Sequence, residues 1–280
     1  MGSPVIASPQ RATTVILNYH RLYDRDSGSA GSPMETFYAV ERNHFREHLA
    51  FLKQSGINTL MLDEFLNAPS LGDSQNLVIT FDDGSDSDLN LAVPILRTFG
   101  FRAVFFICVE YIGKLGYLSL EGIRGLRDSG MSVQSHGLFH HDLTKLSYDK
   151  MIEELKVARL TLEEITRSDV SYLAVPGGFI NEQVNSAALA AGYKAVCTSF
   201  PGLAYRDRQL NRIAIRHSTT QRQFEAYARR KRIPIIANSL RYRGARHVKR
   251  FVGIEHYEAI KLKVCQQKSK PSVPRVNDEC

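Results

Sequence analysis

A chain of 280 residues that is 43% hydrophobic can bury one large core with extensions, and no apolar run in it reaches the length of a membrane span. Its four cysteines, Cys108, Cys197, Cys265 and Cys280, lack C-x-x-C spacing, which argues against a cysteine zinc site and against a disulfide framework. The net charge of +7 is concentrated: between Arg206 and Arg250 fourteen Arg or Lys stand against Asp207 and Glu225. That stretch suits an anionic polymer or a membrane surface, or is a solvated helical face; no nucleic-acid motif accompanies it, which argues against nucleic acid.

The opening MGSPVIASPQRATTVILNYH shows neither a charged n-region nor a clean apolar h-region. The expectation is a cytoplasmic protein, or numbering that begins after processing, with an exported or membrane-peripheral location left open. TTVILNYH has the pattern of a buried strand, followed by a Gly-, Ser- and Asp-rich loop from Asp24 to Pro33. ERNHFREHLAFLKQSG puts Phe45, Leu49 and Leu52 on one helical face and ends at Gly56. LVITF is a strand, DLNLAVPILRTFG a helix closed by Gly100, and RAVFFIC a strand. LEGIRGLRDSG (helix), MSVQS (strand), YDKMIEELKVARLTLEEITR (helix), SYLAV (strand), NEQVNSAALAAG (helix), YKAVCT (strand) and LNRIAIR (last strand) continue the alternation. Such alternation implies parallel strands joined by crossover helices, and about seven units favour a barrel over an open sheet. Beyond Ile236 the punctuation stops: RYRGARHVKRF is basic, EHYEAIKLKV could form a short helix, and QQKSKPSVPRVNDEC has the composition of a disordered tail.

Functional groups in parallel α/β folds gather where strands end. Asp82 and Asp83 stand at such an edge, with Gly84 permitting a sharp turn. Adjacent carboxylates repel unless they share a cation or proton, which points to a metal bound by one and a base supplied by the other; capping of a helix near Asp86 is the alternative. After MSVQS, about fifty residues on, His136 and His140 have the i, i+4 spacing that brings two rings to one ion from a helical turn. His141 and Asp142 suit either orientation of a ligand histidine or a capping or solvent-facing role. Pro176, Gly177 and Gly178 after SYLAV make a rigid turn whose N–H groups could approach a substrate oxygen, as an ordinary loop would also look.

These residues resemble the polysaccharide deacetylase family, the NodB-homology or carbohydrate esterase family 4 domain. Its T-F-D-D-G motif stands as Thr80-Phe81-Asp82-Asp83-Gly84, and its H-[ST]-x-x-H motif as His136-Gly137-Leu138-Phe139-His140, with Gly137 in place of Ser or Thr. LNYHRL is similar to the branch containing biofilm poly-N-acetylglucosamine deacetylases. The resemblance implies an α/β fold, a distorted (β/α) barrel, with a catalytic domain over 13–235 and a basic extension over 236–280. It implies one divalent metal, zinc or else cobalt, nickel or iron, held by Asp83, His136 and His140. Asp82 becomes the base for a metal-activated water that attacks the acetamide of an N-acetylated glycan or oligosaccharide, with the Gly177 N–H supporting the oxyanion. A non-sugar amide as substrate, or a catalytically weak glycan- or anion-binding domain, are the rival functions.

The later motifs diverge. R-x-P-[FY]-G corresponds to Ala174-Val175-Pro176-Gly177-Gly178, so the arginine that orients the base is missing there, and Asp82 is expected to be less constrained and its pKa less depressed. The fourth motif's tryptophan has no counterpart, since the chain has no Trp. Ile215-Arg216-His217 matches L-x-H loosely, making His217 the candidate general acid, or a solvent-facing residue. His20, after the first strand, is a candidate to bind substrate or assist, or a core histidine.

Overall fold

The structure is a computed structural model that describes residues 13–25, 37–67, 76–207 and 209–252, with residues 245–252 described by backbone alone. Most of the loop after Asp24, the short helix expected at 255–264, the tail, Cys265 and Cys280 lie outside these residues. Cys108 and Cys197 are buried free thiols.

In chain order the elements are β1 (Thr13–Tyr19), β2 (Arg21–Tyr23), β3 (Ala39–Glu41), α1 (Arg42–Gln54), α2 (Leu62–Asn67), β4 (Leu77–Phe81), α3 (Val93–Phe99), β5 (Val104–Ile107), α4 (Leu120–Asp128), β6 (Ser132–Ser135), α5 (Tyr148–Thr166) and β7 (Tyr172–Ala174). There follow α6 (Glu182–Ala190), β8 (Ala195–Cys197), β9 (Ala204–Tyr205), β10 (Gln209–Leu210), β11 (Ile213–Ala214), α7 (Gln221–Ala228) and α8 (Arg232–Val252). Side-chain caps start several helices. Glu41 accepts from Asn43 N and His44 N before α1, Ser119 from Gly122 N before α4, and Asn181 from Val184 N before α6. The helix expected from Asp88 opens with a π-helical turn over Asp88–Ala92 before α3, which Gly100 closes at a φ of 70°.

The main sheet runs β10-β8-β7-β6-β5-β4-β1-β11, parallel at every step, with β9 antiparallel to the start of β1. Eight strands therefore make up the parallel path where about seven were expected, because LNRIAIR divides into β10 and β11 around Asn211 and Arg212. The two ends of the sheet are thus joined by two residues, and the sheet nearly closes as a barrel with helices outside.

Strand alternation divides the core. Ile16, Val78, Val104, Phe106, Tyr172, Ala174, Ala195, Cys197 and Leu210 form the inner cluster, with Leu62 and Phe65 of α2 packed into it. Val15, Leu17, Tyr19, Ile79, Phe81 and Phe105 face the helices, where Phe45, Leu49, Leu126 and Leu155 meet them. The basic segment past Ile236 is not the unpunctuated stretch expected; α8 runs unbroken through it to Val252.

Candidate active site

The inward row on β4 is Val78, Thr80 and, one step past the strand, Asp82; on β1 it includes Asn18 beside Thr80. The same parity carries Gln134 of β6 to His136, and Leu210 of β10 to Arg212. Four polar or charged side chains therefore arrive at one level of the barrel by strand alternation alone. Asp82, His136 and Arg212 are each no more than 2% exposed.

Arg212 overturns the expectation that Asp82 lacks a guanidinium partner. Its Nη1 donates to Asp82 Oδ1 at 2.7 Å and its Nη2 to Oδ2 at 2.8 Å, while Nε donates to the Thr198 carbonyl at 3.0 Å. Asn18 Nδ2 adds a bond to Oδ2 at 3.0 Å. Burial would raise the Asp82 pKa, but the charge and hydrogen bonds of Arg212, together with the charges of His136 and His20, outweigh it and hold the carboxyl below the usual range. The arginine comes from the seam between β10 and β11, 130 residues from its partner. An arginine inside the apolar run LNRIAIR is the signal that could have found it, since a charge in a buried strand needs a partner.

Asp83 takes a different direction from Asp82 because its backbone has a φ of 78°, a left-handed conformation that Asp tolerates better than most residues. Gly84 follows at φ 85°, where a Cβ would lie 3.0 Å from Ile107 Cδ1. The turn points the Asp83 carboxylate at two imidazoles: Oδ1 is 3.3 Å from His136 Nε2 and 3.4 Å from His140 Nε2. His136 Nδ1 is 2.8 Å from the Ala174 carbonyl oxygen, which can only accept, so Nδ1 carries a proton and, in the neutral ring, Nε2 presents a lone pair to Asp83; burial would lower the His136 pKa, but Asp82 and Asp83 outweigh it and raise it. Asp83 Oδ1 is buried and makes no hydrogen bond. Burial would raise the Asp83 pKa, but the histidines around it hold it far below the usual carboxylate range.

His136 and His140 do not lie on a helical turn as their spacing suggested. They flank a loop that Gly137 opens at φ 82°, and Val109 N and Glu110 N donate to the carbonyls of Gly137 and Leu138. Glu154 of α5 braces the loop, accepting from Phe139 N at 3.3 Å and lying 2.9 Å from His141 Nε2. Asp142 caps the next turn through Thr144 N, the capping alternative for that residue.

A cavity of about 250 Å³ opens over this cluster, lined by His20, Arg21, Tyr38, Asp83, Ser85, Tyr111, Tyr117 and His140. Tyr111 stacks on His140 with ring centroids 5.7 Å apart and meets Tyr117 at a tilt of 40°, 4.5 Å away. The ring of His20 lies 4.5 Å from Tyr38, its Nδ1 is buried without a partner, and burial lowers its pKa. His217 is exposed on the turn after β11 and does not line the cavity. Pro176 is buried and packs toward Gly137, while Gly177, at φ 64°, is exposed; neither lines the cavity. A larger hollow of about 350 Å³, near Leu66, Tyr172 and Arg206, has no part in the cluster.

Asp83, His136 and His140 offer ligand atoms that all lie within 4.8 Å of one another, a group that could hold a metal ion and leave positions open on it. A near-closed parallel barrel with such a group at its carboxyl edge is an arrangement suited to metal-assisted hydrolysis. Residues 72–196 match the family model of the polysaccharide deacetylases, and it is this family that the stretch resembles. The chain is 26% identical over 228 residues to YxkH of Bacillus subtilis, covering 79% of this chain and 78% of the relative. It is 25% identical over 195 residues to the poly-beta-1,6-N-acetyl-D-glucosamine N-deacetylase of Staphylococcus epidermidis, covering 62% and 68%. Among solved structures, the Streptococcus pyogenes deacetylase PplD in complex with acetate aligns with a TM-score of 0.68 at 26% identity, over 75% of this chain and 95% of that one.

Proposed function

We propose that the protein is a divalent-metal-dependent hydrolase that removes N-acetyl groups from an N-acetylated carbohydrate, with Asp83, His136 and His140 holding the ion. One observation carries this reading: the lone pair on His136 Nε2, fixed by the Ala174 carbonyl, faces the buried Asp83 Oδ1 across 3.3 Å. Two acceptors held face to face need a cation or a proton between them, and the nearby His140 makes a cation the better occupant. Zinc suits two imidazoles and a carboxylate, as do cobalt, nickel and iron. When bound, the ion supplies Lewis acidity toward water and toward the acetamide carbonyl.

The chain's own residues do the rest. Asp82 takes the proton of the attacking water; its Oδ1 accepts one N–H against two at Oδ2, so Oδ1 keeps a lone pair for the transfer. Arg212 keeps Asp82 ionised and oriented. The Gly177 N–H, expected to support the negative oxygen, lies outside the cavity walls and takes no part in this reading. His20, at the cavity wall, is kept neutral by burial and binds substrate; Asp82 passes the proton it took from water to the leaving nitrogen, and free amine and acetate depart. The naming of the Staphylococcus epidermidis relative supports an N-acetylglucosamine polymer as substrate class.

Asp82→Asn is expected to cut acetate release by about 10²–10⁴-fold with metal content unchanged, measured by an acetate assay and elemental analysis on the same sample; an unaffected rate overturns the base assignment. His140→Ala should lower metal stoichiometry, and a variant that holds the ion as fully as the parent chain removes His140 from the ligand set.

A further inference from the structure

From Ala226 to Ile254 the chain holds nine Arg or Lys and no Asp or Glu. The deacetylase reading makes no use of this stretch, most of which is α8. One side of α8 packs on the body: Ile235 is buried in the core, and Tyr242 meets Phe200 edge-on with ring centroids 5.6 Å apart. At about 100° per residue, the opposite side carries Ile233, Ile236 and Leu240. These are 82%, 55% and 62% exposed. Arg232 and Arg243 border the stripe on one flank and Arg241 on the other, all three exposed. Single exposed aliphatic residues are ordinary, but three on one helical stripe between two rows of cations are not.

We propose that this face docks the protein on a bilayer surface rich in anionic phospholipid. An anionic polymer would satisfy the arginines and leave the aliphatic stripe wet. A second copy of the helix would cover the stripe but bring two sets of guanidinium groups together. A bilayer surface takes both: the aliphatic chains enter the boundary between headgroups and acyl chains, and the guanidinium groups reach the phosphates. The 21 residues of α8, at about 1.5 Å each, would lie along the surface for about 30 Å. The contact is peripheral, since among the described residues no helix is long and apolar enough to cross a membrane. It rests on α8 alone and holds whatever reaction the cavity performs.

The test is sedimentation of the full chain with vesicles of phosphatidylcholine, with and without phosphatidylglycerol. Binding is expected only with phosphatidylglycerol, weakening as salt rises. Arg232→Gln with Arg241→Gln should weaken it by roughly thirtyfold, given about 1 kcal/mol per cation, and Ile233→Ser, Ile236→Ser and Leu240→Ser together should abolish it. Both variants leave the Ile235 anchor intact, and unchanged circular dichroism verifies their fold. Because the chain has no Trp, Leu240→Trp places one reporter on the stripe, whose emission should shift to the blue on phosphatidylglycerol vesicles. Absence of binding at low salt overturns the proposal. So does binding that survives the serine variant, which would mark a charge-only partner, or a serine variant that turns a dimer into a monomer, which would mark a second copy as the occupant.

Discussion

Arg212 and Asp82 form a buried, two-pronged ion pair whose partners have no other counter-charge at hydrogen-bond distance. Removing one member leaves the other charged and dry, so Arg212→Met is expected to destabilise the fold by about 3–5 kcal/mol, read from urea unfolding. Arg212→Lys keeps the charge but not the fork, and should retain more stability than activity. Asp82 has a folded pKa below its unfolded value. The pair therefore contributes stability above the unfolded pKa and loses it as pH falls through the folded one. In Arg212→Lys the Asp82 pKa rises, so the acid limb of the pH–rate profile should move to higher pH; an unmoved limb contradicts the base role. Asp82, Asp83, His136 and His140 were legible because they are local patterns at strand ends. Arg212 was not, because its place depends on how the last strands close the barrel.

At the scale of elements, helix α5 reaches the site through one side chain. Glu154 binds the backbone of Phe139 and pairs with His141, fixing the loop that His136 and His140 flank. Glu154→Gln should weaken cation binding by about 10–100-fold, as loss of a group that steadies ligands commonly does, measured by competition with a chelator; an unchanged affinity would show that the loop holds its shape unaided. The spacing of His136 and His140 suggested a helical turn, yet four residues can bring two rings together from a loop as well, and Gly137 at φ 82° selects the loop. The order of strands and helices was readable from apolar periodicity. The division of LNRIAIR was not, because its residues alternate correctly for one strand, and only the closure of the sheet separates β10 from β11.

At the scale of the molecule, α1 and α7 are joined by a buried imidazole. His48 stacks on Phe224 at 3.9 Å, and its Nδ1 lies 3.0 Å from the Tyr19 hydroxyl. Burial, aided by His44, pushes its pKa from 6.5 to about 3. Above the ordinary value both states are neutral and the residue has no pH effect. As pH falls below it, the unfolded chain binds a proton that the folded chain refuses, so stability falls by up to about 1.4 kcal/mol per pH unit until the folded pKa is reached. His48→Gln should remove that slope between pH 6.5 and 3, followed as the urea midpoint against pH; an equal slope in both chains would assign acid sensitivity elsewhere. The seam that supplies Arg212 also has a bearing on biosynthesis. On the ribosome, Asp83, His136 and His140 emerge well before residue 212, and the stretch matched by the family model, 72–196, is complete without it. A nascent chain of that length has its proposed cation ligands but an inner carboxylate with no guanidinium. The arginine arrives with the strand that shuts the barrel, so closure of the barrel and orientation of the proposed base are one event.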